Sequence, residues 1–307
     1  MSDKCTVMVA KTNYRCVLAV CAVLLFSPGL LRLHAQDFSF PGVEYSRGQD
    51  VSPVFNGWER NPDGTFSMWF GYYNRNNQEQ VDLPTGPNNN FDLGNGDQGQ
   101  PTHFYTGSRW WVFKVVVPKD WPTDKRIVWT LTNMGRTNVA KGWLEPEWEV
   151  DKLLMSADGA SDPFTGSLGR PVSDAIIAGD TAPVITGETT QTVTLPATAA
   201  LSLTATDDGL PKLRPGDRMA DGSIRGGIQG VRIRWLLYRG PAGAAVKFDP
   251  PVSPYVYGMP LTADTKVTFS MPGDYRIRAI ASDGALWSTY DVDVKVNPGT
   301  SSETKAR

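Results

Sequence analysis

Residues 55–77 read FNGWERNPDGTFSMWFGYYNRNN, and their patterning decides the fold of the first half of the chain. Asn61-Pro62-Asp63-Gly64 is turn chemistry, because Pro presets φ and Gly accepts positive φ. After it, Phe66, Met68, Phe70 and Tyr72 fall on one face of a strand while Trp69 and Tyr73 fall on the other. A strand apolar on both faces is either covered on both sides or presents aromatic side chains to a partner. Downstream, RWWVFKVVV at 109–117, RIVWTLT at 126–132 and residues 137–144 read as further strands. Trp111, Phe113, Val115 and Val117 would share one face, matched across a turn by Ile127, Trp129 and Leu131. The expectation is an antiparallel meander closing an aromatic-rich β-sandwich over residues 53–144.

The first 35 residues have the layout of a secretory signal. Lys4, Lys11 and Arg15 precede an apolar run at 17–26, and Ala35 offers a small residue before a cut at Gln36. The run is shorter than the roughly 20 apolar residues of a membrane span. Removing it leaves ~272 residues, enough for two domains that each bury a core. It also takes the formal charge from −2 to about −5, with no basic patch, which excludes nucleic acid as an expected partner. Cys5, Cys16 and Cys21, the 3 cysteines, all lie in this segment. The expected exported chain therefore has no disulfide, thiol nucleophile or thiolate metal site. His103 is its one histidine, which rules out a two-histidine relay or a histidine-based zinc site within one chain.

Residues 36–52 read as an extended lead-in, and 145–180 as a connector with room for a short helix after Pro146. Residues 181–298 carry seven strand candidates, at 190–195, 201–206, 231–238, 245–248, 266–271, 275–282 and 289–296, the spacing of an immunoglobulin-like sandwich. Val231, Ile233 and Trp235 alternate with Arg232 and Arg234, so one face is buried and the other wet. Residues 299–307 read as a frayed tail. The predicted fold is all-β: two antiparallel β-sandwiches in tandem, the second Ig-like.

Two resemblances accompany this reading. Residues 182–298, through LTATDDGLP at 203–211, Val231 to Trp235, PGDY at 272–275 and ASDG at 281–284, resemble bacterial Ig-like, cadherin-like and PKD-type extracellular domains. They depart from the PKD pattern at Trp235, which Leu-Leu-Tyr follows. The resemblance implies a sandwich and an extracellular setting. FGYYNRN at 70–76, GPNN at 86–89 and DQGQPTHF at 97–104 are similar to a segment of uncharacterised exported bacterial proteins, which implies no activity.

Four constellations carry chemistry. Trp69, Tyr73, Trp110, Trp121 and Trp143 could build a platform for sugar rings; core packing is the simpler use of each. The loop with Asn88, Asn89, Asn90, Asp92, Asp97, Gln98, Gln100 and His103 could orient a polar ligand, though such residues more often satisfy their own backbone. Trp69, Tyr73, Trp110, Asn88, Asn89, Asp97, Gln98 and His103 are the ligand-binding candidates. Asp207, Asp208 and Asp283 end the second and sixth strands of the predicted sandwich. They could meet at one end around Ca²⁺, with help from Asp217 and Asp221; Asp-Gly turn chemistry is the plainer account. No other cofactor is expected. Glu145, Glu147, Glu149 and Asp151 alternate, and on a strand would form a glycosidase-like carboxylate row; Pro146 argues against that strand. The functional expectation is an exported, non-catalytic recognition or spacer protein of the bacterial envelope (periplasm, cell surface or exterior) that binds a protein or polysaccharide. A glycoside hydrolase and a subunit of a surface assembly are the alternatives.

Overall fold

Strands β1 (Val51–Arg60) and β2 (Phe66–Asn74) form the hairpin that the opening stretch dictates. Gly64 closes its turn at φ +86° with its N–H on the Asn61 carbonyl at 3.0 Å, and the Asp63 carboxylate accepts from Thr65 N and Oγ1. The computed structural model describes residues 45–157, 177–212 and 230–299. The expected signal, most of the lead-in and the frayed tail fall outside these residues, as do Asp217 and Asp221. Among the described residues no helix is long and apolar enough to cross a membrane.

The chain continues with β3 (Val81–Asp82), β4 (Asn89–Phe91), β5 (His103–Phe104), β6 (Gly107–Val117), β7 (Ile127–Asn133) and β8 (Arg136–Gly142). One sheet has the order β1-β2-β6 and the facing one β4-β7-β8, with β3-β5 as a small flap. This corrects the meander expected between β6 and β7. The two strands do not pair; they lie in opposite sheets with their apolar faces turned to each other, so Phe113 meets Trp129 edge-on at 5.0 Å between ring centroids. Nine residues, 118–126, separate them, too many for a tight hairpin and enough to cross the layer. Phe70, Phe91, Phe104, Phe113 and Trp129 fill the space between the sheets.

Trp111 does not share the face of Phe113. It sits at φ 57°, a left-handed conformation unusual for a bulky side chain, and its N–H donates to Asn56 Oδ1 at 2.9 Å. Here the β2–β6 register slips between Phe70 and Tyr72. The slip turns Trp111 out of the core against Trp69, Val150 and Met155. Gly71 lies opposite, and a Cβ there would collide with the Arg109 carbonyl oxygen.

After β8 come a 3₁₀ turn (Pro146–Trp148) and a short helix α1 (Lys152–Ala157). The second sandwich follows with β9 (Val184–Gly187), β10 (Thr190–Thr194), β11 (Ala199–Thr206), β12 (Arg232–Arg239), β13 (Val246–Asp249), β14 (Leu261–Phe269), β15 (Gly273–Ser282) and β16 (Trp287–Asn297). Its sheets are β13-β14-β11-β9 and β10-β16-β15-β12, with β10 parallel to β16, an Ig-like arrangement. Trp235 is buried in the core, and Tyr275 donates its hydroxyl to the Met271 carbonyl at 2.7 Å, tying the start of β15 to the preceding turn. β3, β4, β5 and β9 have no counterpart in the sequence reading, because two to four residues are too few to show a period.

The described residues belong to one compact unit. Leu236, Tyr238 and Ile280 leave the second sandwich's own core and enter the aromatic core of the first. Between them Arg278 is buried. Its guanidinium grips Asp291 through two hydrogen bonds of 2.7 and 2.9 Å, lies 3.4 Å from the centre of the Tyr238 ring and donates to the Val112 carbonyl at 2.8 Å. Arg278→Ala leaves a carbonyl and a carboxylate without their donor. It is expected to cost about 3 kcal/mol and to split a single urea transition, followed by tryptophan fluorescence, into two. Gly71→Ala is expected to lose at least about 2 kcal/mol in the same measurement, because the obstacle is backbone.

Candidate functional site

The polar loop at 85–103 is built from its own side chains. Asn89 is fully buried: its amide nitrogen donates to the Leu83 and Pro101 carbonyls at 2.9 and 2.8 Å, and its Oδ1 accepts from Trp129 Nε1 at 2.9 Å. Gln98 donates to the Leu93 carbonyl at 2.9 Å, and Gln100 Oε1 accepts from Gln98 N at 2.7 Å. Asn88 is exposed, with its carbonyl taken by Thr132 N–H at 2.9 Å. His103 is buried with both ring nitrogens engaged, Nδ1 with Asp82 Oδ1 at 2.7 Å and Nε2 with Gln80 Oε1 at 2.8 Å. Burial works to raise the Asp82 carboxyl, but hydrogen bonds from His103 and from Gly243 N–H outweigh it and leave it lowered.

The same loop clasps the second sandwich. Asp97 takes both arms of Arg239 at 2.9 and 2.7 Å, and that guanidinium holds the Asp97 carboxyl below the usual carboxylate range. Arg239 Nε reaches the Gln100 carbonyl at 2.8 Å, Thr102 N–H the Tyr238 carbonyl at 3.1 Å, and Tyr238 OH the Gly99 carbonyl at 2.6 Å. Tyr105 oxygen accepts from Leu237 N–H at 2.9 Å, and burial pushes its hydroxyl up to about 12. Of this second role the sequence carries no signal, since the partner strand lies over 130 residues away.

The aromatic candidates divide. Trp69 is half-buried, donates to Glu59 Oε1 at 3.1 Å and stands edge-on to Trp111. Trp121 and Trp143 are half-buried beneath Lys125 and Arg126. Tyr73 and Trp110 are each 43% exposed. Tyr73 lies opposite Ser108 in the β2–β6 ladder, and Trp110 follows two residues further along β6, about 7 Å on at strand rise.

Glu145, Glu147 and Glu149 do not form a row on a strand. They straddle the 3₁₀ turn, where alternate residues do not share a face. Glu145 accepts from Trp143 Nε1 at 2.7 Å, Glu147 is exposed and Glu149 faces Arg60 at 3.9 Å.

Asp207 and Asp208 follow β11 and Asp283 follows β15, and the antiparallel pairing of β11 with β9 sets Asp180 at the same end. Asp283 is held up to about 8, first by burial and then by the charges of Asp180 and Asp207, against the pull of the Leu286 and Ala285 N–H groups. Asp180 is raised to about 6 by burial and by Asp208 and Asp207. Asp207 is raised by burial. Asp208, opposed by slight desolvation, is lowered by the Thr181 hydroxyl and N–H. Asp180 was not among the sequence candidates because it falls in the connector.

No family model matches this chain, and no curated protein does. Among solved structures it is similar to the PKD domain of human KIAA0319, at 13% identity over 41% of this chain and 91% of that one, TM-score 0.21. It is similar to a three-Ig fragment of titin at 9% identity over 81% of this chain and 65% of that one, TM-score 0.21. It is also similar to a Drosophila N-cadherin fragment at 11% identity over 78% of each, TM-score 0.23. These likenesses bring no activity to the chain; the all-β assignment stands on strand pairing.

The aspartate end has a pH signature. Asp180 and Asp283 bind protons more tightly folded than in an open chain near 3.8. The stability they lend is whole below that value and is lost as pH rises through about 6 and then about 8. Asp207, Asp208 and Lys152 are the charges that act on them. With divalent ions chelated, the melting temperature is expected to fall from about pH 4 to about pH 8 and then level, and Asp283→Asn is expected to remove the part of that fall above about pH 6.

Proposed function

We propose that this chain is an exported, non-catalytic recognition or spacer protein of the bacterial cell envelope. In this reading the first sandwich carries the contact and the second fixes its orientation. One observation carries the proposal: Tyr73 and Trp110 leave large aromatic area in solvent on one sheet, while Asn89, Gln98, Asp97 and His103 spend their polar groups inside the fold. Exposed rings on neighbouring strands offer apolar area with a polar rim, which suits a glycan or a protein surface. The clasp between the sandwiches supports a rigid spacer, since motion at the joint would break several hydrogen bonds at once.

The test is capture from envelope extract, with the partner identified by mass spectrometry and glycan analysis. Replacing both rings, Tyr73→Ala with Trp110→Ala, is expected to reduce capture at least about tenfold. The melting temperature should stay within about 2 °C of the parent, because surface substitutions cost little. Undiminished capture would remove this surface from consideration, and self-capture alone would favour the assembly reading.

A further inference from the structure

The aspartate end of the second sandwich has an unbalanced account of hydrogen bonds. Asp208 is fully served: Oδ2 accepts from Thr181 N and Oγ1 at 2.9 and 2.7 Å, and Oδ1 from Leu210 N at 2.9 Å. Asp207 Oδ2 accepts from Gly209 N at 3.0 Å, but its Oδ1 is buried without a partner. Asp283 is 1% exposed; Oδ1 accepts from Ala285 and Leu286 N–H at 2.7 and 2.8 Å, and Oδ2 is buried without a partner. Asp180 is 2% exposed, and neither of its carboxylate oxygens has a partner among the described residues. Lys152 gives its Nζ to the Asp180 backbone carbonyl at 3.3 Å.

Four orphaned oxygens, on buried Asp180 and Asp283 and half-buried Asp207, are costly, because an uncompensated buried carboxylate oxygen loses its hydration without return. The described residues supply no hydrogen-bond donor to any of the four.

We propose that Asp180, Asp207 and Asp283 bind one hard divalent cation of the Ca²⁺ type, with Asp208 bracing the segment before β9. The donor set decides the class: an all-oxygen site has no imidazole or thiolate to favour a transition metal. Ca²⁺ fits better than Mg²⁺ because it accepts bidentate carboxylates and irregular geometry, and Asp180 has both oxygens to give. Among the described residues no three acidic side chains are gathered tightly enough to chelate as they stand, so binding requires side-chain rotations that bring the orphaned oxygens together. Asp180, whose carboxylate makes no hydrogen bond among the described residues, is the side chain that must swing most, while Asp207 and Asp283 keep one oxygen on loop N–H groups and offer the other.

Titration calorimetry of CaCl₂ into chelator-treated protein at about pH 7.5 tests this, alongside melting curves with and without the ion. The expected result is one ion per chain and a rise in melting temperature of about 5 °C at a hundredfold excess over Kd. Asp180→Asn and Asp283→Asn keep side-chain volume and remove charge. Each should weaken binding at least about tenfold yet melt no lower than the parent in chelator, which separates lost ligation from lost folding. No heat and an unmoved melt at about 10 mM Ca²⁺, above the range of extracellular calcium modules, would overturn the proposal. So would undiminished binding by both variants, which would place the ion elsewhere. An equal effect of Mg²⁺ would overturn the Ca²⁺-type assignment.

Discussion

The structure depends on how the free edge of β12 is covered. An edge strand exposes a row of N–H and carbonyl groups that would otherwise pair with another chain. Here residues 251–256 cover the first part, with Trp235 N–H on the Pro251 carbonyl at 2.9 Å and Ser253 N–H on the Ile233 carbonyl at 2.9 Å. The first sandwich covers the rest through Thr102 and Tyr105. Once that edge is shared, Leu236 and Tyr238 are carried into the aromatic core and Arg278 is enclosed between the layers. A buried guanidinium is tolerable only because Asp291, the Val112 carbonyl and the Tyr238 ring all face it.

This constraint explains why so many polar residues of the 85–103 loop have nothing left for a ligand. A loop rich in Asn, Asp and Gln can serve a guest or serve itself, and joining two β-layers demands the second. Asn89 links Leu83, Pro101 and Trp129, while Asp97 links Gly99 to Arg239. Fixing the loop this way leaves Tyr73 and Trp110, outside the loop, among the large rings still exposed on the first sandwich.

The opposite situation holds at the far end of the second sandwich. There, strand topology brings together acids from three distant segments and the fold supplies too few donors for them. The unpartnered carboxylate oxygens of Asp180, Asp207 and Asp283 mark that imbalance. The clasp and the aspartate end thus mark two outcomes of one process: chain topology assembles polar groups, and local donors either satisfy them or leave charge exposed to a low-dielectric interior.

By itself the sequence determined what periodicity and turn chemistry can carry. Alternation in β2, β12 and β15 set which face each strand turns to its own sandwich core, Asn61-Pro62-Asp63-Gly64 set the hairpin, and the spacing of short strands set an Ig-like second sandwich. These are properties of neighbours along the chain, so a linear reading reaches them. Only the tertiary structure decided that β6 and β7 face each other across the core, that Trp111 leaves that core for a separate buried cluster, and that a polar loop and Arg239 lock the two layers. It alone brought Asp180 beside Asp207 and Asp283. The reason is physical: these outcomes depend on which distant segments meet. Local pattern is silent about a contact whose energy comes from desolvation and geometry at a place that exists only after folding.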